Sequence, residues 1–324
     1  MQLVEFIKKT NRYGKLRQPF IFVIDFEMQK PFVCRLEQAA DKGLLYNING
    51  MTNSKKESIE IDTNIDLEVK PINKSKYKRA FNIVMSNLQK GNSYLLNLTF
   101  PTKLQADLSL EQIYRKARAP YKIWKKEDFV SFSPESFIKI ENDFIFSYPM
   151  KGTIDASLPN ASDRILKDVK ETKEHNTIVD LIRNDLSIVS RDVSVVKYRY
   201  IDEIKTNKNR LLQVSSEIKG KLAKNWQKSI GDILFKLLPA GSISGAPKEK
   251  TVEIIKKAEG TMRGYYTGIF GLFDGTSLES AVNIRFIEKI SGGLQFRSGG
   301  GITAMSKENE EYQEMVDKVY VPFS

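Results

Sequence analysis

Residues 162–189, SDRILKDVKETKEHNTIVDLIRNDLSIV, form a long stretch without glycine or proline. Its apolar residues recur at helical spacing, as in Ile178, Leu181 and Ile182. This pattern predicts one long amphipathic helix whose apolar stripe faces the core. Ser162 precedes the periodic part and is the expected N-terminal cap.

Two carboxylates, Glu171 and Glu174, fall on the apolar face of that predicted helix. Burying an unpaired carboxylate is costly, so such a residue needs a cation or hydrogen bonds. The alternative is an ion pair on the helix surface with Lys170 or Lys173. The inward face makes both glutamates candidates for cation binding.

A second predicted helix, 306–320 with Ser306 as its cap, repeats the arrangement near the end of the chain. Glu311, Glu314 and Lys318 lie along one flank of its apolar stripe. Glu314 and Lys318 alone could be a surface ion pair. Together, the two helices predict a shared Mg²⁺ site, because a hard cation prefers carboxylate oxygens.

The rare residue types exclude several kinds of chemistry. The 324 residues include one cysteine, Cys34, and one histidine, His175. The chain therefore has no internal disulfide and no two-histidine zinc site.

The charge and the lengths of the apolar runs predict a soluble protein. The net charge of +11 is spread over the whole chain, which favours a lysine-rich surface over a nucleic-acid-binding face. No apolar run is long enough to cross a membrane, and Lys8 and Lys9 interrupt any secretory signal. We expect a cytoplasmic protein that binds neither nucleic acid nor membrane.

The remaining segments predict an α+β fold with antiparallel strands and helices in blocks. Expected strands are 20–26, 44–50, 93–100, two within 129–149, and 264–274, 278–290 and 292–303; expected helices are 75–90 and 231–239. The polar segment 51–76 is the expected boundary between a short β-rich N-terminal segment, 1–70, that packs on the core and a catalytic domain, 71–324.

Glycine-rich pieces near the end of the chain have two interpretations. Gly299, Gly300 and Gly301 could let an anion approach backbone amides, or could form a tight turn. Residues 241–248, GSISGAPK, do not have the spacing of a nucleotide-binding P-loop, so we exclude that function for them.

Two polar residues stand where strand-like runs end. Glu135 follows Ser133-Pro134, and Lys151 lies between Pro149 and a Gly-Thr pair. A desolvated lysine has a lowered pKa and can attack carbon. The alternative is an ordinary surface lysine with its amine in water.

Taken together, several long motifs resemble the chorismate-utilising enzymes. They are SPESF, YPMKGT, KEHNTIVDLIRNDLSIV, PAGSISGAPK, AVNIRF and SGGGIT followed by EYQEMVDK. The match runs in order from about Gly91 to Lys318. It implies the fold of anthranilate synthase component I, in which layered antiparallel sheets and helices surround a central active-site cleft.

Within that family, Lys151 is similar to the lysine of the aminodeoxychorismate synthase branch, where anthranilate synthases typically have alanine. The resemblance implies amination of chorismate to 4-amino-4-deoxychorismate, for para-aminobenzoate and folate, by a large subunit that receives ammonia from a glutamine amidotransferase. Anthranilate synthase is the close alternative, and isochorismate or salicylate synthase is another. A basic nucleic-acid-binding protein and a catalytically silent scaffold are the remaining alternatives.

The resemblance also implies roles for individual residues. Lys151 would add to the chorismate ring, and Glu135 would protonate the leaving hydroxyl. Glu174 and Glu314 would bind Mg²⁺, with Glu171 and Glu311 as their water-mediated neighbours. The implied substrate-binding residues are Gly152, Thr153, Tyr266, Arg285, Gly299, Gly300, Gly301 and Lys318. One departure is Leu212, which stands where many members have a histidine, whereas His175 is expected to be structural.

Overall fold

The computed structural model describes residues 1–54, 68–105, 108–205 and 210–322. The helices are α1 Leu3–Lys15, α2 Lys74–Gln89, α3 Leu110–Lys116, α4 Ala161–Lys167, α5 Val169–Ser187, α6 Ile230–Leu237, α7 Gly241–Ser244, α8 Lys248–Glu259 and α9 Glu308–Asp317. The strands are β1 Phe20–Ile24, β2 Phe32–Arg35, β3 Leu44–Ile48, β4 Met51–Thr52, β5 Glu68–Lys70, β6 Leu95–Gln105, β7 Tyr121–Lys125, β8 Phe129–Ser133, β9 Ser136–Glu141, β10 Phe144–Ser147, β11 Met150–Asp155, β12 Arg191–Lys205, β13 Arg210–Lys221, β14 Gly245–Ala246, β15 Ile269–Phe273, β16 Leu278–Val282, β17 Phe286–Ile290 and β18 Gly293–Ile302.

These strands form two antiparallel sheets. In the described part of the chain, the first sheet has the order β11-β13-β10-β9-β16-β15-β1-β2, with β12 beside β13. The second has the order β14-β6-β18-β17-β8-β7-β3-β4, with β5 beside β6. The predicted α+β fold with layered antiparallel sheets and flanking helices is therefore confirmed.

Burial on both faces explains why the central strands consist almost entirely of apolar residues. Every residue of β1, FIFVI, is buried. Phe20 and Phe22 belong to one apolar cluster, which also includes residues of α2, α5 and α6. Ile21 and Val23 belong to another, because successive side chains of a strand point to opposite faces.

Two of the places at which the chain passes from one sheet to the other lie next to each other. Pro134-Glu135 joins β8 of the second sheet to β9 of the first, and 283–285 joins β16 of the first to β17 of the second. Because β8 pairs with β17 and β9 with β16, the two crossings lie side by side. The amide of Val282 donates to the carbonyl of Glu135 over 3.2 Å.

At both crossings the predicted strands are wrong, because the chain changes sheet where the prediction has a continuous strand. The segment 129–149 contains three strands rather than two, and 278–290 contains two rather than one. The first crossing is marked in the sequence by the polar run Ser133-Pro134-Glu135-Ser136, but the prediction of two strands did not use this break. At the second crossing, apolar Ile284 lies between Asn283 and Arg285, so the alternation of apolar and polar residues continues and nothing marks the change of sheet.

The predicted helix 162–189 is also wrong in one respect, since the chain bends at Asp168 to give α4 and α5. Asp168 has extended backbone dihedrals, and its side chain accepts a hydrogen bond from the amide of Glu171 over 2.8 Å. It therefore caps α5. Asn160, rather than the expected Ser162, precedes α4.

The last helix is shorter than the predicted 306–320. Lys307 is at the N-cap of α9, and the expected cap Ser306 instead accepts a hydrogen bond from the amide of Thr303. The helix ends at Asp317.

The N-terminal segment 1–70 contributes to both sheets. It begins with α1, a helix that the sequence pattern did not predict, and continues through β1 and β2 in the first sheet and β3 to β5 in the second. Part of the expected boundary at 51–76 lies outside the described residues. The division of the chain at residue 70 stays a prediction.

Candidate active site

A cavity of about 190 Å³ lies where the two sheets meet. Both crossings contribute to its wall, through Glu135 and Arg285. Strands β6 and β18 and the short helix α7 supply much of the rest. The lining side chains that carry charge are Glu135, Lys151, Arg285, Arg297 and Lys318.

The crossing between β8 and β9 holds Glu135 in the cavity wall. The Ser133 hydroxyl accepts from the Glu135 amide over 3.0 Å, and the Ser242 hydroxyl donates to Oε1 of Glu135 over 2.6 Å. Burial raises the pKa of the Glu135 carboxyl, although Ser242, Arg285 and nearby lysines oppose the shift. A raised pKa favours the protonated form, which is the form that can donate a proton.

Lys151, at the start of β11, forms an ion pair within the protein. Its Nζ lies 2.8 Å from Oε2 of Glu174, whose side chain is 5% exposed. Burial would lower the pKa of Lys151, but the carboxylates of Glu174, Glu171 and Glu314 outweigh it and the pKa is raised. The expected lowering of this pKa is therefore wrong for this arrangement, because acidic neighbours surround the amine.

Helices α5 and α9 bring the four predicted carboxylates close to Lys151 and Gly300, two residues of the cavity wall, but none of the four is itself a lining residue. Glu174 and Glu311 are buried, Glu171 is half-buried, and the side chain of Glu314 is 48% exposed. Of the two glutamates expected on the inward face of α5, Glu174 is buried and Glu171 only half-buried, and of the two expected on the flank of α9, Glu311 is buried and Glu314 is exposed. Burial raises the pKa of both Glu171 and Glu311, with neighbouring carboxylates adding to the shift.

The donor chemistry at this side of the cavity fits a hard divalent cation. A buried oxygen of Glu171, Oε2, has no hydrogen-bond partner. Carboxylate oxygens of Glu314 and Glu311 lie 3.3 and 3.4 Å from the position that a Cβ on Gly300 would occupy. The fourth carboxylate, that of Glu174, pairs with Lys151. In the described ranges, no three acidic, histidine or cysteine side chains are close enough together to form a metal-ligand set. The residues fit Mg²⁺ in charge and in ligand type.

The glycines at 299–301 lie in a strand rather than in the expected turn. They belong to β18 and pair with Thr99, Leu98 and Asn97 of β6. Strand β17 pairs with β18 only up to Arg297, so within the described residues β17 does not continue alongside the glycines. A Cβ on Gly299 would lie 2.2 Å from the carbonyl oxygen of Leu98. The absence of side chains lets β6, β18 and the carboxylates of α9 pack closely.

Two predicted substrate-binding residues do not reach the cavity. Thr153 is exposed and is not among the lining residues. Gly152 has φ +83°, and a Cβ there would lie 3.0 Å from Oε2 of Glu171. In this structure, Gly152 allows Glu171 to approach β11 rather than lining the cavity.

The other predicted substrate-binding side chains do line the cavity. Tyr266 is buried, and burial raises its pKa to about 12. Arg285 packs 4.8 Å from the ring centre of Tyr320, and its Nε is buried without a hydrogen-bond partner. The Lys318 Nζ donates to the carbonyl of Gly299 over 3.0 Å and pairs with Glu314. Three of the four lining cations already pair with a carboxylate: Lys151 with Glu174, Lys318 with Glu314 and Arg297 with Glu288. Arg285 is therefore the lining cation best placed to receive an anionic ligand.

Three further lining residues were missed. Ser242 lies in the GSISGAPK segment, which carries part of the family resemblance but in which no residue is predicted to line the site. Asn97 and Arg297 lie in β6 and β18, and Oδ1 of Asn97 is buried without a partner. A polar residue between apolar neighbours, as in LLNLTF and LQFRS, was the available signal.

The single histidine and cysteine lie away from the cavity wall. His175 is buried, its Nε2 lies 2.7 Å from the Ser216 hydroxyl, and burial lowers its pKa to about 4. This environment agrees with the expected structural role. Cys34 is buried, which raises the pKa of its thiol to about 11. Leu212 lies in β13 opposite Ile154 of β11.

A family model for chorismate binding enzymes matches residues 6–324. The chain belongs to this family. It is 55% identical over 322 residues, 99% of both chains, to an uncharacterised PabA-like protein from Pasteurella multocida. It is 32% identical over 257 residues, 75% of this chain and 56% of the relative, to aminodeoxychorismate synthase component 1 of Salmonella typhimurium.

A solved structure confirms the predicted anthranilate synthase component I-like fold. Anthranilate synthase component I from Streptococcus pneumoniae matches with a TM-score of 0.71 at 20% identity, over 93% of this chain and 79% of that chain. The family membership makes this chain a chorismate-utilising enzyme with the cavity described above. In the described ranges, no helix is both long and apolar enough to span a membrane.

Proposed function

We propose that this chorismate-utilising enzyme is an aminodeoxychorismate synthase large subunit. It would convert chorismate and ammonia to 4-amino-4-deoxychorismate and water. The observation that carries the proposal is the placement of Lys151 and Glu135 in the wall of one cavity. A nucleophilic amine and a carboxyl with a raised pKa are the two groups that substitution of a ring hydroxyl requires.

The cavity charges support chorismate as the ligand. Chorismate carries two carboxylates, and Arg285, Arg297 and Lys318 line the same cavity. The guanidinium of Arg285 suits two-point recognition of a carboxylate, and its buried Nε still lacks a partner. Tyr266 and Ile178 add apolar surface for the ring.

We propose Mg²⁺ as the cofactor, held by Glu174 and Glu314, with Glu171 and Glu311 acting through water. When bound there, Mg²⁺ would offset the excess of carboxylates and draw electrons from a substrate carboxylate. The buried, unpartnered oxygen of Glu171 supports this assignment.

In the first step, the neutral amine of Lys151 would form a bond to the chorismate ring. The bond between C4 and its hydroxyl oxygen would break, and the proton of Glu135 would convert the hydroxyl to water. The Glu135 carboxyl is suited to this task, because burial favours its neutral form. Covalent addition of Lys151 divides one difficult substitution into two easier steps.

In the second step, ammonia would bond to C4 while the bond to Lys151 breaks. The proton released from the new ammonium group would return to Glu135, which restores both residues. We propose that a separate glutamine amidotransferase supplies the ammonia. The buried Cys34, whose thiol pKa is about 11, is poorly suited to hydrolyse glutamine itself.

Anthranilate synthesis is the second candidate reaction, because a solved anthranilate synthase component shares the fold. The two reactions differ in the position of amination and in whether the pyruvyl group leaves. Lys151 is the residue that favours amination at C4, since it is similar to the lysine of the aminodeoxychorismate synthase branch, where anthranilate synthases typically have alanine.

Product analysis tests the proposal. Purified protein would be incubated with chorismate, Mg²⁺ and a high concentration of an ammonium salt at mildly alkaline pH. Liquid chromatography with mass spectrometry should show a product with the hydroxyl exchanged for an amine and the pyruvyl group retained. An added lyase should then convert it to para-aminobenzoate. Anthranilate as the product would overturn the proposal.

A further inference from the structure

The segment PAGSISGAPK, residues 239–248, lacks the spacing of a nucleotide-binding loop, yet it reaches the cavity. Helix α7 within this segment carries Ser242, whose hydroxyl donates to Oε1 of Glu135 over 2.6 Å. This short bond joins two segments that are 107 residues apart in sequence. The segment therefore contacts the residue to which we assign proton donation.

The backbone around Ser242 is held firmly on several sides. Lys248 pairs with Asp185 of α5 over 2.9 Å and donates to the carbonyl of Leu237 over 2.7 Å. A Cβ on Gly241 would lie 2.7 Å from Oδ2 of Asp185, so the turn is packed directly against α5. The Ser244 hydroxyl donates to the carbonyl of Ala240 over 2.8 Å.

The other end of the turn is fixed to the sheet. Gly245 and Ala246 form β14, which pairs with Leu96 and Leu95 of β6. A Cβ on Gly245 would lie 1.9 Å from the carbonyl oxygen of Leu95, so only glycine fits. The position of the Ser242 hydroxyl is consequently set by α5 and β6 rather than by a loose loop.

We propose that Ser242 is a positioning residue that determines which oxygen of Glu135 carries the acidic proton. Because the hydroxyl of Ser242 donates to Oε1, that oxygen acts as the carbonyl acceptor. When Glu135 is protonated, its proton is then placed on Oε2. The inference rests on the proposed role of Glu135 as the acid.

The charged groups that act on Glu135 define the pH behaviour. Arg285, Lys318 and Lys151 favour its ionised form, and so does the hydrogen bond from Ser242, while burial disfavours it. Removal of the Ser242 hydroxyl raises the pKa of Glu135. Since the acid works in its protonated form, activity is lost as pH rises through that pKa, and Ser242→Ala should move this loss to higher pH.

The test compares three variants at saturating chorismate and constant free ammonia. Ser242→Ala should lower kcat about tenfold, which is the effect of losing one oriented hydrogen bond. It should also shift the alkaline limb of the pH profile of kcat to higher pH. Ser242→Thr keeps the hydroxyl and should restore both values. Ser244→Ala, in the same turn but bonded to the carbonyl of Ala240 instead of to Glu135, controls for general disturbance of the segment. Wild-type kcat and pH profile in Ser242→Ala would overturn the inference.

A double variant separates this inference from the proposed function. If Ser242 acts through Glu135, then adding Ser242→Ala to Glu135→Gln should cause no further loss. Additive losses would contradict the inference while leaving Glu135 as the acid. Full activity of Glu135→Gln alone would instead contradict the acid assignment in the proposed function.

Discussion

The Nζ of Lys151 lies 2.8 Å from Oε2 of Glu174, so the proposed nucleophile and a proposed metal ligand form one ion pair. The pair joins β11 to α5 across the side of the cavity. A protonated lysine cannot attack carbon. The pairing therefore has to be released before Lys151 can act, and the first two predictions concern the two partners.

Replacement of Lys151 by alanine should remove the nucleophile. We expect 4-amino-4-deoxychorismate formation to fall by at least about 100-fold, because the two-step route is lost. Chromatography and mass spectrometry of the products would measure this. Lys167→Ala is the control, since Lys167 pairs with Asp163 on the exposed surface. Unchanged formation of the 4-amino product by Lys151→Ala would contradict the assignment.

Replacement of Glu174 or Glu311 by glutamine should weaken Mg²⁺ binding. Each change removes a negative charge from the proposed site, so the Mg²⁺ concentration for half-maximal activity should rise about tenfold or more. Calorimetric Mg²⁺ titration without substrate gives a second measure. The control is Glu310→Gln, since Glu310 forms an exposed pair with Lys307. Equal Mg²⁺ affinity in all four proteins would exclude these carboxylates as ligands.

The glutamine variant of Glu135 should keep the shape of the cavity but lose the proton donor. We expect kcat to fall about 100-fold or more and the alkaline limb of the pH profile to disappear, since the burial-raised pKa of Glu135 sets that limb. Kinetics at several pH values with constant free ammonia would show it. Glu141→Gln, at the far end of the strand β9 that follows Glu135, but paired with Lys139 at the surface, should behave as wild type.

Periodicity predicted the candidate carboxylates of the two helices, and the resemblance to chorismate-utilising enzymes implied the roles of Glu135, Lys151, Tyr266, Arg285 and Lys318. Glu174 and Glu311 follow from the apolar stripes of α5 and α9, and both are buried. The ion pair between Lys151 and Glu174 could not be predicted in the same way. It joins a strand and a helix across the cavity, and the resulting pKa is the opposite of the one expected from burial alone.

Parts of the fold escaped prediction for related physical reasons. At the crossing 283–285, apolar and polar residues continue to alternate, so hydropathy gives no break, whereas the crossing at Glu135 lies in the polar run SPES, a break that the prediction did not use. Helix α1 buries only Phe6, Thr10 and Gly14, and this narrow stripe contains a single large apolar residue. Contacts between distant segments, such as that of Ser242 with Glu135, form only when the sheets are assembled, so a local sequence pattern does not predict them.

Replacement of Arg285 by lysine should weaken chorismate binding more than turnover. Lysine keeps the positive charge but cannot form two parallel hydrogen bonds to a carboxylate. We expect the KM for chorismate to rise about tenfold with a smaller change in kcat, measured by steady-state kinetics. Arg183→Lys, an exposed partner of Asp180, should leave KM unchanged. A wild-type KM in Arg285→Lys would exclude carboxylate recognition by this residue.

Breaking a fully buried ion pair beside the cavity should lower the free energy of unfolding. Arg263 and Glu259 are 1% and 2% exposed at their side chains, and Arg263 also donates to the carbonyls of Asn97 and Ile243. Arg263→Met leaves Glu259 buried without its cation. We expect the free energy of unfolding to fall by about 3–5 kcal/mol.

Urea unfolding followed by circular dichroism would measure the effect on stability. Arg210→Met is the control, because Arg210 and Glu203 form an exposed pair that should contribute little. A loss below about 1 kcal/mol in Arg263→Met would show that the buried pair is not a stabilising contact.

The central claim is that Lys151 forms a covalent bond to the chorismate ring. The most direct test is to incubate the enzyme with chorismate and Mg²⁺ in the absence of ammonia, quench with acid and map the peptides by mass spectrometry. The account predicts that the Lys151 peptide gains the mass of chorismate less one water, and that added ammonia removes this modification. An unmodified Lys151 peptide in a preparation that forms 4-amino-4-deoxychorismate when ammonia is supplied would contradict the account.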